Sequence, residues 1–296
     1  MKYFSEMTLD DCRRFYADEI RYAGNIKSPA ILKAFTQVPR EDFLGPGPWH
    51  IACADLGLGS VQYIATADAD PRNVYHNVAI ALDSSRDLNN GQPGALAHWL
   101  EALDLQAGNR VFHMGCGVGY YTAIMASVVG PSGRVLANEV DPELAERAQC
   151  NLASYKNVEV HGGDGAVLDP GTCDAMLINA GVTHPHSLWL DRLHENGGRM
   201  VLPLTIAMAP NLGKGVMLRI TRTPAGFLAR ILTFVAIYSC TSVRDPRLEP
   251  VLANALRSGA LMKIKSVRRD EHQPEGSCVV HRQDACLSTA ELPSPQ

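Results

Sequence analysis

The feature that most constrains this chain is the segment 111–126, which reads VFHMGCGVGYYTAIMA. An apolar run leads into three glycines at alternate positions, and apolar residues then recur at helical spacing. The pattern predicts a buried strand, a tight turn and a helix. Glycine lets the backbone approach a ligand because it has no Cβ, and the first helical turn offers unpaired N–H groups. We therefore expect a ligand-binding turn here.

Two nucleotide motifs compete for this turn. A dinucleotide fingerprint requires a third glycine three residues after Gly117, where this chain has Tyr120, so a Rossmann dehydrogenase is disfavoured. A P-loop requires Gly-Lys followed by Ser or Thr, which the segment lacks. The spacing of Gly115, Gly117 and Gly119 instead suits S-adenosylmethionine, which carries no phosphates. Cys116 fits the same turn as a small residue.

Polar residues and glycines end three further predicted strands. Glu139 lies 24 residues after Gly115, and a carboxylate at that strand end accepts hydrogen bonds from ribose hydroxyls in Rossmann-type sites. Asp164 can accept from an adenine amino group, and glycines such as Gly165 leave room for the ring. Asn179 ends the fourth strand. Because open α/β sheets bind ligands at the carboxyl ends of their strands, we expect these residues in one site.

Strand and helix patterns alternate from residue 94 to about 205, which predicts crossover units. The predicted fold class is α/β, a Rossmann-like doubly wound and mostly parallel sheet. Two β-rich runs around residues 223–226 predict an antiparallel hairpin at the sheet edge. Thr8 and Ser28 are the predicted caps of two N-terminal helices. We expect three parts: N-terminal helices and a substrate-covering segment (1–90), a cofactor-binding core (91–240) and a C-terminal α+β extension (241–296).

The composition is typical of a soluble, cytoplasmic protein. A hydrophobic fraction of 46% and a charged fraction of 20% argue against disorder. A net charge of -4 gives no general electrostatic basis for binding nucleic acid or anionic lipid. The apolar run 231–240 is far shorter than the roughly 20 residues of a membrane span, and the polar start predicts no secretory signal. Eight cysteines without a CxxC pair predict reduced thiols and no zinc site.

These motifs belong to a longer ordered set that resembles the protein-L-isoaspartate O-methyltransferase family of class I methyltransferases. The set includes VPREDF at 38–43, NNGQPGALAHWLEAL at 89–103, GCGVGYYTA, VHGGDGA, CDAMLINAG and LHENGGRMVLPL at 193–204. The resemblance implies S-adenosylmethionine as cofactor and S-adenosylhomocysteine as product. It also implies O-methylation of a carboxylate, on an isoaspartyl residue of a protein or peptide or on a related metabolite acid. The implied cofactor residues are Gly115, Gly117, Gly119, Glu139, Asp164 and Gly165.

Two positions depart from the family pattern. Gly91 stands where the family has a serine that lies near the methyl group and helps to place the substrate carboxylate. Only neighbouring amides, among them Asn90 and Gln92, can replace that contact. His113 stands where the family has an acid that holds the methionine ammonium, and a neutral histidine does this weakly. A specialised small-molecule acceptor and a cofactor-binding scaffold of low activity therefore remain alternatives.

The acceptor decides whether a general base is needed. A carboxylate is already ionised at pH 7, whereas an amine, phenol or hydroxyl requires a base. His184 and His186 are the candidates, with two surface-loop histidines as the alternative. No further ligand is suggested near them, so we expect no metal there. The sequence leaves the acceptor, the oligomeric state and the role of residues 240–296 open.

Overall fold

The computed structural model describes residues 7–53 and 62–292. Their α-helices are α1 (Leu9–Ala23), α2 (Pro29–Gln37), α3 (Pro93–Leu103), α4 (Tyr120–Val129), α5 (Pro142–Leu152), α6 (Ser187–Arg192) and α7 (Glu249–Arg257). Their strands are β1 (His50–Ala52), β2 (Tyr63–Ala65), β3 (Ala81–Asp83), β4 (Leu88–Asn89), β5 (Arg110–Met114), β6 (Arg134–Glu139), β7 (Val158–Gly162), β8 (Ala175–Ile178), β9 (Arg199–Ala209), β10 (Leu212–Thr223), β11 (Gly226–Tyr238), β12 (Ser266–Arg268), β13 (Cys278–Val280) and β14 (Cys286–Ser288). The described residues form two compact units, one within Met1–Gly108, Cys116–Ala137 and Asp141–Gly162, the other within Asn109–Gly115, Asn138–Val140 and Gly163–Gln296.

The first unit contains the two predicted N-terminal helices, and their caps are confirmed. The Thr8 hydroxyl accepts the Asp11 N–H at 3.2 Å, while the Asp11 carboxylate accepts the Thr8 N–H at 3.1 Å. This reciprocal pair satisfies two N–H groups that the helix itself leaves unbonded. The Ser28 hydroxyl accepts the Ile31 N–H at 3.4 Å at the start of α2. Within the same unit, the beginning of β6 neighbours β7.

Short elements make up the segment 44–90, as far as the structure describes it. In its described part, β1 pairs with β2 and β3 with β4, both antiparallel. Arg40 is fully buried beneath this segment, and its guanidinium donates to the carbonyl oxygens of Val74 (2.6 Å), His76 (2.9 Å) and Val78 (2.7 Å). One side chain thus binds three backbone carbonyl groups and fixes this part of the segment. Residues 54–61 of the predicted cover lie outside the described residues.

The second unit contains a mixed sheet in the order β13-β14-β12-β11-β10-β9-β8-β5, continued by the end of β6. The pairs β5–β8 and β8–β9 are parallel, as the crossover pattern predicts. The predicted hairpin is confirmed as β10 and β11, which pair from Leu212 and Tyr238 to Thr223 and Gly226. It is not at the sheet edge, however, because β12, β14 and β13 of the C-terminal extension continue the sheet beyond it.

No helix among residues 7–53 and 62–292 combines the length and the apolar character that crossing a bilayer requires.

Candidate functional site

The glycine turn has the geometry that its sequence predicts. Gly115, Gly117 and Gly119 have φ values of +76°, +57° and +93°, a region that residues with a Cβ rarely adopt. At Gly119 a Cβ would also lie 2.6 Å from Leu152 Cδ1. α4 begins directly after the turn, at Tyr120. Glycine is therefore required by the backbone at all three positions and by packing at the third.

Two neighbouring strand ends fix the start of this turn. The Gly115 N–H donates to the Asn138 carbonyl at 2.9 Å, next to the end of β6. From the end of β8, the Asn179 N–H donates to the Met114 carbonyl at 2.8 Å, and its side-chain Nδ2 donates to the Gly115 carbonyl at 3.2 Å. The ends of β5, β6 and β8 are thus brought together, and the Asn179 side chain helps to hold the turn.

Glu139 ends β6 and is 7% exposed. Its carbonyl accepts the Gly163 N–H at 2.9 Å, and the adjacent Asn138 Nδ2 donates to the Gly163 carbonyl at 2.9 Å. These two bonds fix the strand end against the Gly163–Gly165 turn. A largely buried carboxylate at this strand end is a strong hydrogen-bond acceptor for hydroxyl donors.

Asp164 has a partner that the sequence did not indicate. Its Oδ1 accepts the Ala166 N–H at 2.9 Å and the Ser242 hydroxyl at 2.8 Å. Ser242 reaches it because the chain after β11 runs beside the chain after β8, where the Cys240 N–H donates to the Gly181 carbonyl at 2.9 Å. Since both bonds go to one oxygen, Oδ2 is the oxygen that can serve a ligand donor.

Gly165 has a packing reason to be glycine. A Cβ there would lie 2.5 Å from Met114 Cγ and closer still to the Asn138 amide oxygen. On its other side, Trp189 Nε1 donates to the Gly165 carbonyl at 3.4 Å. The packing alone explains why this residue is glycine. That Gly165 also leaves room for an adenine ring stays a prediction.

His113 and Cys116 are both buried, at 0% and 5% exposure. Burial lowers the pKa of His113 from 6.5 to about 3. The imidazole is therefore neutral at pH 7 and does not repel a cationic group. Cys116 forms no disulfide with another described residue, and its burial agrees with the role of a small residue inside the turn.

The buried His113 predicts a pH dependence of stability. Its pKa is lowered on folding, so below pH 6.5 the unfolded chain binds a proton that the folded chain excludes, and stability falls as the pH decreases toward 3. Between pH 7 and 5 this group costs about 2 kcal/mol, at 1.36 kcal/mol per pKa unit. Urea titrations at pH 7 and pH 5 measure the free energy of unfolding at each pH. Between these two values we expect His113→Leu to lose about 2 kcal/mol less of this free energy than wild type. His50→Leu, at an exposed histidine, should keep the wild-type difference, and equal losses in all three proteins would disprove this role.

Gly91 also has a backbone that requires glycine. Its φ is +75°, and a Cβ would lie 2.8 Å from Leu96 Cδ2. The Gly91 N–H donates to Asn89 Oδ1 at 3.0 Å, and its carbonyl accepts the Tyr121 hydroxyl at 3.3 Å. The serine of the family pattern therefore does not fit here unless Leu96 moves.

The two amides beside Gly91 differ in their surroundings. Asn90 Oδ1 accepts the Ile80 N–H at 2.9 Å, whereas its Nδ2 is buried and has no hydrogen-bond partner among the described residues. Gln92 is exposed, and its Nε2 donates to the Asn77 carbonyl at 3.1 Å. The Asn90 NH2 is therefore buried without a bonded acceptor in the described part of the chain, whereas the Gln92 NH2 already makes one bond and is exposed to water.

His184 is buried, at 7% exposure, so the surface-loop alternative does not describe it. The Thr183 hydroxyl accepts the Asp245 N–H at 2.9 Å and shares a hydrogen bond with His184 Nδ1, which lies 2.9 Å away. Burial and the nearby Arg282 charge lower the pKa of His184 to about 4. A histidine of this kind is a weak base at pH 7.

Sequence comparisons identify relatives over most of the chain. A family model for protein-L-isoaspartate(D-aspartate) O-methyltransferase matches residues 16–214. A protein-L-isoaspartate O-methyltransferase of Ignicoccus hospitalis is 32% identical over 219 residues, which cover 72% of this chain and 89% of the relative. Protein-L-isoaspartate O-methyltransferase 1 of Archaeoglobus fulgidus is 33% identical over 202 residues, which cover 67% of this chain and 82% of the relative.

Two solved structures share the fold. A protein-L-isoaspartate O-methyltransferase matches with a TM-score of 0.57 and 21% identity, covering 88% of this chain and 72% of that one. A Plasmodium falciparum structure, described as a putative protein-L-isoaspartate O-methyltransferase in complex with S-adenosyl-L-homocysteine, matches with a TM-score of 0.54 and 17% identity, covering 77% and 98%. These likenesses confirm the Rossmann-like α/β fold. The family model matches more than half of the 296 residues of this chain. The chain therefore belongs to the protein-L-isoaspartate(D-aspartate) O-methyltransferase family.

Proposed function

We propose that the protein is an S-adenosylmethionine-dependent O-methyltransferase that methylates the carboxylate of isoaspartyl residues in proteins or peptides. The observation that carries this proposal is the buried Glu139 carboxylate beside the turn that starts at Gly115, in a chain of this family. Two relatives and both structural neighbours carry the corresponding enzyme name.

The strand ends of the core supply the cofactor contacts in this proposal. Glu139 would accept the ribose hydroxyls, and Asp164 Oδ2 would accept the adenine amino group while Ser242 orients the carboxylate. Because the His113 imidazole is neutral, it would not repel the positively charged ammonium group of the cofactor's methionine part. When bound, S-adenosylmethionine supplies a methyl group activated by its sulfonium charge. The full proposed set is Gly115, Cys116, Gly117, Gly119, Glu139, Asp164, Gly165 and Asn179.

A carboxylate acceptor fits the acid–base character of the site. Methyl transfer to a carboxylate is a displacement that needs positioning and exclusion of water but no general base. The lowered pKa of His184 makes it a poor base at pH 7, which favours a carboxylate over an amine or hydroxyl acceptor. A catalytic role for His184 stays a sequence prediction, and its hydrogen bonds give this role no support.

Asn90 is the residue that we propose to contact the acceptor. Its Nδ2 is a buried donor without a partner among the described residues, next to the position where the family has its serine. A buried N–H that lacks a partner costs free energy, and a substrate carboxylate would remove that cost. Gln92 has a weaker claim because its NH2 is exposed to water and already donates one hydrogen bond to a carbonyl.

The exchange of Asn90 for aspartate tests this contact. Asn90→Asp keeps the oxygen that accepts the Ile80 N–H but replaces the donor with a charge that repels a carboxylate. Since hydrogen bonds to charged groups contribute about 1.5–3 kcal/mol, we expect kcat/KM for an isoaspartyl peptide to fall by at least about 10-fold. Affinity for S-adenosylhomocysteine, measured by calorimetry, should stay unchanged. Gln92→Glu is the matched control, with an expected change below about threefold; equal losses in both variants would exclude the assignment.

We also propose that the chain has three parts, divided at residues 90 and 240, and that the protein is cytoplasmic. Neither nucleic acid nor a membrane is a partner in this proposal.

A further inference from the structure

Four potential metal ligands meet in the C-terminal extension. They are His272, Cys278, His281 and Cys286, and one ligand atom from each lies within 4.8 Å of the other three. All four come from the short segment that contains β13 and β14. We propose that these residues bind one zinc ion and that the ion fastens the extension. The proposal is independent of the proposed function, and it departs from the sequence prediction of no zinc site.

The distances are close to those of a tetrahedral site. Cys278 Sγ lies 3.5 Å from His272 Nε2. In a tetrahedral zinc site with Zn–S of about 2.3 Å and Zn–N of about 2.0–2.1 Å, that edge is about 3.6 Å. The rings of His272 and His281 meet edge to face, with centroids 4.9 Å apart, so two imidazoles and a thiol surround one small space.

The histidines have the hydrogen bonds that zinc-bound histidines show. His272 Nδ1 lies 2.8 Å from the Asp270 carbonyl oxygen and must donate to it, which leaves the lone pair of Nε2 directed to the cluster. His281 Nδ1 is buried and has no hydrogen-bond partner among the described residues. A metal ion would satisfy a nitrogen that the protein leaves unbonded.

The thiols fit a closed, structural site. Cys286 is fully buried, and Cys278 is half-buried with its sulfur accepting the Glu275 N–H at 3.4 Å. Two thiolates and two imidazoles form a set that selects zinc over magnesium or calcium, which prefer oxygen ligands. Because four protein ligands fill the coordination sphere, the ion would be structural and not catalytic.

The strands of the extension are short, so a bound metal ion would add to their stability. Strands β12, β13 and β14 have three residues each, and β12 pairs with β11 at Phe227 and Leu228. Strands this short gain little from their own hydrogen bonds, so a metal that joins β13, β14 and the preceding loop would stabilise them substantially. The cluster lies outside residues 16–214, the part matched by the family model.

Metal content tests the proposal. The full-length protein is expressed with zinc, purified without chelators and analysed by mass spectrometry for metals. We expect about one zinc per chain in wild type and less than about 0.2 in Cys278→Ser and His281→Asn. The controls Cys150→Ser and His161→Asn, in residues outside the cluster, should keep the wild-type content.

A cobalt titration gives a readout that does not depend on whether the variants fold. Wild-type protein freed of metal and reduced under argon should develop the visible bands of tetrahedral cobalt with a thiolate charge-transfer band, and zinc should abolish both. Three results would overturn the proposal: no zinc and no tetrahedral cobalt in wild type, an unchanged zinc content in both cluster variants, or a Cys278–Cys286 disulfide in protein kept free of oxygen.

Discussion

Exchange of Glu139 for glutamine should weaken S-adenosylhomocysteine binding by about 10- to 100-fold, because a hydrogen bond to a charged acceptor contributes about 1.5–3 kcal/mol and 1.4 kcal/mol is a factor of ten. The side chain is largely buried, so water cannot replace the lost charge–hydroxyl bonds at low cost. Because glutamine has nearly the same shape, the strand end should keep its place beside Gly163. Titration calorimetry with S-adenosylhomocysteine measures the effect.

The control for this variant is Glu143→Gln, in the exposed first turn of α5. It removes the same charge from the same region of the sequence and should change the affinity by less than about threefold, as expected for an exposed charge. Equal affinities of Glu139→Gln and wild type would remove Glu139 from the cofactor site.

Exchange of Arg40 for methionine should lower the free energy of unfolding by about 3–5 kcal/mol, because it removes three hydrogen bonds from a charged donor, each of which contributes about 1.5–3 kcal/mol. The variant leaves the carbonyl groups of Val74, His76 and Val78 without the donors that Arg40 supplies. It also removes the guanidinium from above the rings of Tyr16 and Tyr120. Urea unfolding followed by circular dichroism gives the difference.

Arg14→Met serves as the comparison because the Arg14 side chain is 65% exposed and pairs only with the neighbouring Asp11 in the described structure. Its expected change is within about 0.5 kcal/mol. A loss below about 1 kcal/mol in Arg40→Met would show that water or other donors replace the guanidinium, and that Arg40 does not fasten the segment.

The elements predicted best are those whose signals are local. The helix cap at Thr8, the strand that ends at Glu139 and the turn between β10 and β11 all depend on residues a few positions apart. The glycine turn belongs to the same class, since its φ values follow from the spacing of three glycines. Hydrophobic periodicity, caps and turn residues carry this information directly.

Features that depend on distant parts of the chain were not predictable. Ser242 and Asp164 are separated by 78 positions, and only the course of the chain after β11 brings them together. Arg40 lies in the motif VPREDF, but the sequence does not show which groups it binds. Its three partners are backbone carbonyls, which every residue has. The Cys/His cluster was missed because it has no CxxC spacing, although His and Cys at 272, 278, 281 and 286 form a dense set that a search over mixed spacings would find.

The most direct test of the proposed activity is methyl transfer by the full-length protein. The protein is incubated with methyl-labelled S-adenosylmethionine and an isoaspartyl peptide, beside the matching normal aspartyl peptide, with S-adenosylhomocysteine binding confirmed for the same preparation. We expect base-labile label in the isoaspartyl peptide alone, and its loss in Asn90→Asp. Label in neither peptide, or equal label in both, would contradict isoaspartyl methylation as the function of this protein.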